Sequence, residues 1–177
     1  MKKIIVSFLL VILAYLLQTT LMPTISLANV CPNLILIIVV YIGYINGRTY
    51  GLFMGLISGL LYDFQFGTLI GLYGLIYMLI GYLSGICHKI YFREDYTLPV
   101  VLVTINSFLF GFSVYITGFL LRGKLNFDFY FSKVILPEVV YTVLLSIMIY
   151  KIIISPLSWA KKKKEVQVNA RWFLGLA

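Results

Sequence analysis

Two carboxylates, Asp63 and Glu138, fall within or beside the long apolar runs of this chain. Acids at such a depth can share a proton or bind a cation, because a charge in a low-dielectric setting needs a partner. The plainer alternative places both at interfacial depth, with Glu138 favoured by a helix N-terminus and Asp63 by nearby backbone donors. Gln18, followed by Thr19 and Thr20, is the clearest polar side chain in the first apolar run. An amide there can bridge two helices, a contact typically worth about 1 kcal/mol. The single histidine, His88, stands beside Lys89 and reads as a solvated interfacial residue. The sequence has no Cys/His pairing at metal spacing, no phosphate-binding loop and no serine beside a plausible base, so it points away from an enzyme and from any metal or organic cofactor.

The elements that must carry these residues are marked by glycine. Gly43, Gly47, Gly51, Gly55 and Gly59 recur every fourth position, Gly67 and Gly71 continue the series, and Asp63 fills its one gap. Glycines four apart on a membrane helix leave a groove without side chains, into which a neighbouring backbone can pack where lipid gives no hydrophobic drive. Each step of four residues drifts by about 40° on a straight helix, so three glycines can share a face and seven cannot. Gly51, Gly55 and Gly59 are therefore expected to receive a helix, either from this fold or from a partner. Asn46, Gly47 and Arg48 are expected to form a cytoplasmic turn in which Arg48 is an anchor, and Gly67 the outer turn after Asp63.

Of the 177 residues, 62% are hydrophobic and 11% charged, with a mean hydropathy of +1.02. A soluble domain carries roughly 25% charged residues. The chain is thus expected to be an all-α, polytopic integral membrane protein, and its length admits about five to seven crossings. Lys2 and Lys3 precede a first run from Ile4 to Leu21, which reads as a retained helix ended by Pro23. Pro23 and Pro32 bound an uncharged connector, after which Pro32 and Asn33 open the next run as turn and anchor. Residues 33 to 64 are too many for one upright helix and few for two full spans. They read as a short hairpin, or as one tilted helix with a re-entrant piece. Further runs extend from Leu69 to Cys87, from Thr97 to about Leu121, and from near Val134 to Ile154, the last with Glu138 in its first turn or two. The segment before Val134, rich in Phe, Tyr, Asp and Lys, has the composition of a membrane interface.

Six helices would form a transmembrane domain over residues 1–155, leaving a basic cytoplasmic tail over 156–177. In that arrangement eleven of the fourteen Lys and Arg residues fall on the side of the termini, and only Arg122, Lys124 and Lys133 on the other. This asymmetry places both termini in the cytoplasm of a bacterial inner membrane. It also puts Cys31 and Cys87 at opposite faces, where they cannot pair. Lys161, Lys162, Lys163 and Lys164 can attract anionic lipid headgroups or act as a stop-transfer signal. Beyond them, Arg171 and Trp172 let the tail fold back on the membrane or contact a cytoplasmic protein. No nucleic-acid partner is expected.

Against this background the chain resembles the MreD family, the polytopic member of the bacterial rod-shape-determining system. The resemblance is carried by LLQTTLMP at 16–23, by CPNLILIIVVYIGYINGRTYGLFMGLISGLLYDFQFGTLIGLYGLIYMLIGYLSG at 31–85, and by the basic end after the sixth run. Asn33 replaces the Asp usual in the family after Pro32. The resemblance implies a non-catalytic scaffold of the elongation complex for peptidoglycan. Its partners would be an MreC-like bitopic protein, a RodA-like polymerase, a class B penicillin-binding protein and an MreB-like actin, alongside membrane lipids. The family also resembles, in its six-helix architecture, the substrate-binding subunits of energy-coupling factor transporters. That implies an alternative function as a small-molecule binding subunit, for which Gln18, Asn33, Asp63, Asn106 and Glu138 would be the pocket liners. The first helix, with Ala14 flanked by Leu10 and Gln18, lacks the small-residue ladder expected for docking in such a transporter.

Overall fold

The computed structural model describes residues 2–26, 30–67, 70–90, 97–118 and 127–150. Their regular structure is six helices: α1 (Lys2–Thr20), α2 (Leu34–Asn46), α3 (Arg48–Phe66), α4 (Leu72–Ile86), α5 (Thr97–Gly118) and α6 (Phe127–Tyr150). A single 3-10 turn, Cys87–Ile90, follows α4. The basic tail, with Lys161 to Lys164, lies outside the described residues.

Helix α2 is the axis of the bundle. Its sequence LILIIVVYIGYIN has no polar face, and every residue from Leu34 to Ile45 is buried. A helix that is apolar all round can satisfy itself only inside other structure, and α1, α3, α4 and α5 all pack against it. Helix α6 is fastened to it by polar contacts. The backbone N–H of Asn33 donates to Thr142 Oγ1 at 3.0 Å, and Tyr41 Oη lies 2.9 Å from Ser146 Oγ. Helix α1 turns Ser7, Val11, Ala14 and Gln18 inward, one stripe at helical spacing.

Three helices, α1, α5 and α6, are long and apolar enough to cross a membrane. Helices α2 and α4 are apolar but have 13 and 15 residues. At 1.5 Å per residue these reach about 20 and 22 Å, less than the roughly 30 Å of a hydrocarbon core. For α2 the shortfall carries no lipid mismatch, because its sides face protein.

The segment 33–64 is a hairpin of two helices joined at one residue. Gly47 ends α2 and begins α3 at φ 96°, a left-handed value that costs a residue with a side chain. Helix α6 departs from the sequence-based expectation. It begins at Phe127, seven residues before Val134, so Glu138 sits well past its first turn and gains nothing from the helix N-terminus. The physical reason is aromatic packing. Phe127 and Phe131 stand against Phe112, and Phe127 and Tyr130 against Tyr115, with centroids 5.2–6.5 Å apart. These contacts with α5 draw the segment expected at the interface into the helix. A π-helical stretch, Phe131–Ile135, takes up the register there and sets Ile135 against Gly111.

Candidate functional site

The glycines of α3 face α4. A Cβ on Gly51 would strike the Gly81 carbonyl, one on Gly55 the Tyr77 carbonyl, and one on Gly59 the Tyr73 carbonyl and Gly74. The two helices run antiparallel in steps of one turn, with backbone against backbone. Helix α4 supplies Gly74, Gly81 and Gly85 to the same seam, and a side chain on Gly85 would meet the Arg48 backbone. Gly43 on α2 joins them, since its Cβ would lie 2.5 Å from the Gly81 carbonyl. Three helices thus converge at Gly43, Gly51 and Gly81. That convergence was hidden in the sequence, where Gly43 and Gly51 are separated by the turn at Gly47.

Asp63 closes the seam. It is 2% exposed, and its carboxylate accepts the backbone N–H groups of Gly71 at 3.0 Å, Tyr73 at 3.1 Å and Gly74 at 2.9 Å. The first turn of a helix leaves four N–H groups without internal partners. Asp63 serves as a cap lent to α4 by α3, and Gly71 at φ 101° bends the chain so that the donors converge. Gly67, which ends α3, packs its backbone against Asp63 and donates to the Asp63 carbonyl at 2.9 Å.

The other polar residues gather at the same end of the bundle. Gln18 donates from Nε2 to the Pro32 carbonyl at 3.1 Å and accepts from the Leu34 N–H at 2.7 Å, tying the end of α1 to the start of α2. Asn33 caps α2 by accepting from Leu36 N–H at 3.0 Å, and its Oδ1 also accepts from Tyr77 Oη at 2.9 Å. The Asn33 amide reaches toward the Glu138 carboxylate as well. Gln18, Asn33 and Glu138 line one cavity of about 240 Å³, whose walls include Tyr62, Tyr73 and Phe110. Asp63 and Asn106 do not line it. Asn106 lies deeper, donating to Ser84 Oγ at 3.2 Å and to the Leu102 carbonyl at 2.8 Å.

At the opposite end, Arg48 is exposed on the first turn of α3. His88 is not solvated as its neighbours implied. It is half-buried, its ring lies against Gly47, and Nδ1 is 2.8 Å from the Tyr44 carbonyl at the end of α2. The orphan carbonyls of a helix C-terminus explain this attraction. Cys31 and Cys87 are free thiols, the first lining the cavity and the second beyond the end of α4.

The arrangement supplies a rigid frame and a polar cavity. Among the described residues, no group of three or more His, Cys, Asp or Glu side chains is placed to hold a metal ion. The seam residues are spent on packing, and the polar groups other than Glu138 are spent mainly on backbone N–H and carbonyl groups. Residues 1–157 match the family model described as rod shape-determining protein MreD. No curated protein and no solved structure matches the chain significantly.

Proposed function

This chain belongs to the rod shape-determining protein MreD family, and from that premise we propose that it is a non-catalytic scaffold of the elongation complex that organises peptidoglycan synthesis. The family assigns it to rod-shape determination in the membrane. The finer reading is that it holds an MreC-like bitopic protein through helix contacts, and through it the RodA-like polymerase, the class B penicillin-binding protein and the MreB-like actin. The observation that carries this is the match itself, which runs through all six helices.

The packing narrows where a partner helix can sit. The groove at Gly51, Gly55 and Gly59 is filled by α4, so a partner has to use an outward apolar face. Such faces are ample on α1, where Ile5, Leu9 and Leu16 are exposed.

Six crossings with both termini cytoplasmic are part of the same proposal. It is supported by the alternation of helix ends. The C-termini of α1 and α3, the N-termini of α2 and α4, the C-terminal half of α5 and the N-terminal half of α6 surround the cavity, while Lys2, Lys3, Arg48 and Lys89 fall at the other end or beyond it. The native cysteines test it directly. In intact spheroplasts a membrane-impermeant maleimide should label Cys31 and spare Cys87, and the reverse pattern would invert the topology.

Depletion in the native bacterium, with cell shape as the readout, tests the function. Rounded cells, with an MreC-like protein recovered by affinity capture of the full chain, are the expected result. Cells that keep their shape, with no such protein recovered, would rule the scaffold out.

A further inference from the structure

Glu138 stands apart from the other polar residues at its end of the bundle. Gln18 has committed both side-chain polar atoms to Pro32 and Leu34. Asn33 has committed Oδ1 to Leu36 and Tyr77. These residues form walls and cannot turn toward a guest without breaking the start of α2. On the same lining the Glu138 carboxylate has the Asn33 amide beside it and otherwise faces the space, as do the hydroxyls of Tyr62 and Tyr73. Neither tyrosine hydroxyl hydrogen-bonds among the described residues.

The charge of the lining has one sign. Among the described residues Glu138 is its single acidic side chain, and no Lys, Arg or His lines the cavity. An anionic guest would meet only repulsion. A neutral one makes no use of the acid's charge, whereas a cation supplies the counter-charge that a carboxylate at this depth needs. A cation remains. A bare metal ion is a poor candidate, because Ca²⁺ takes six to eight oxygens and Zn²⁺ about four ligands, whereas one carboxylate faces this space. The walls favour an organic cation instead. Tyr62 and Tyr73 pack at 4.9 Å between centroids, and Tyr73 and Phe110 at 6.1 Å. Such rings attract an ammonium group through their faces. The volume of about 240 Å³ is many times what a single water needs, enough for a small alkylammonium.

We propose that this cavity is a binding site for a small organic ammonium group, with Glu138 as its counter-ion and Tyr62, Tyr73 and Phe110 as aromatic walls. The group can be the headgroup of an aminolipid or a free amine, and the site sits at one end of the helices, where either can reach it. The inference stands independently of the scaffold reading, since every group it uses belongs to this chain.

The test uses the full chain in nanodiscs of phosphatidylglycerol. Tetramethylammonium and ethanolamine are titrated by calorimetry, with isobutanol as a neutral control. Native mass spectrometry of the protein from mixed phosphatidylethanolamine and phosphatidylglycerol vesicles reads lipid retention. Wild type should bind at least one amine, or retain phosphatidylethanolamine over phosphatidylglycerol, and Glu138→Gln should weaken this by about tenfold or more, the effect of losing a charged hydrogen-bond partner. Phe110→Leu keeps the carboxylate and removes one wall. It should weaken tetramethylammonium by about threefold to thirtyfold, which keeps the proposal testable if Glu138→Gln does not fold. Amine binding alone identifies a free ligand, and lipid retention alone a headgroup. Wild type that binds neither amine nor lipid selectively, binding unchanged in both variants, or isobutanol held as tightly as tetramethylammonium would each overturn the site.

Discussion

Asp63 and Glu138 look alike in the sequence, each a carboxylate in apolar surroundings, yet the fold treats them as opposites. Asp63 is enclosed by three backbone N–H groups at 2.9–3.1 Å and joins α3 to α4. Glu138 has the Asn33 amide beside it and otherwise faces a cavity. A carboxylate that accepts several backbone donors is a structural part whose removal leaves those donors stranded. A carboxylate that borders space is available to a guest. The difference lies in the donors around each acid: the first turn of α4 offers Asp63 the N–H groups that no helix interior can spare for Glu138.

The largest effect should come from the seam that Asp63 closes. Gly55→Leu places a side chain against the Tyr77 backbone, where neither helix can yield without separating. A loss of about 4 kcal/mol or more is expected, within the range reserved for overpacking of a core. The measurement is thermal unfolding of the detergent-solubilised protein, alongside recovery of an MreC-like partner. Both should be lost together, because α4 and not the partner fills the groove. Folded Gly55→Leu protein that loses only the partner would return the groove to the interface.

Asp63→Ala should follow, at about 3 kcal/mol, since three partly buried donors lose one shared acceptor. Asp63→Asn keeps one acceptor oxygen and should cost less than Asp63→Ala in the same unfolding experiment. Equal costs would mean that the charge, and not the acceptor geometry, holds the first turn of α4.

Periodicity made one half of this comparison legible and concealed the other. The spacing of Gly51, Gly55 and Gly59 identifies a face, and the absence of polar residues in LILIIVVYIGYI foretells a helix buried on every side. A sequence pattern does not name the neighbour, however. That α4 answers with Gly74, Gly81 and Gly85 follows from the register of an antiparallel pair, which no local signal encodes. Asn33 and Glu138 meet across 105 positions of chain, and Gln18 reaches backbone groups of Pro32 and Leu34 that have no side-chain signature. The early start of α6 was masked by Asp128 and Lys133, whose charges imitate an interface although the aromatic residues beside them pack on α5.

Gln18 sits between the two acids in consequence. Gln18→Ala removes both bonds to the start of α2 and strands a buried carbonyl and N–H, for an expected loss of about 1–2 kcal/mol. Gln18→Glu sharpens the result, because it keeps an acceptor for Leu34 while replacing the donor to Pro32. It should therefore lose less than Gln18→Ala if Leu34 is the dominant contact, and this can be read as a difference in melting temperature.

The smallest effect on stability belongs to Glu138. Replacing the carboxylate by the isosteric amide in Glu138→Gln leaves the Asn33 contact possible and removes a charge that has no ion pair among the described residues. Exchanging an unpaired buried charge for a neutral group is commonly neutral or stabilising. The expected change is within about 0.5 kcal/mol, or a gain, when unfolding is measured in detergent without added amine. Asp63→Asn, the same chemical change at the other acid, should be destabilising in that experiment. Matching losses at the two positions would erase the contrast and assign Glu138 to the frame, whereas a stable Glu138→Gln protein beside a weakened Asp63→Asn protein separates an acid that builds the fold from one that the fold holds open.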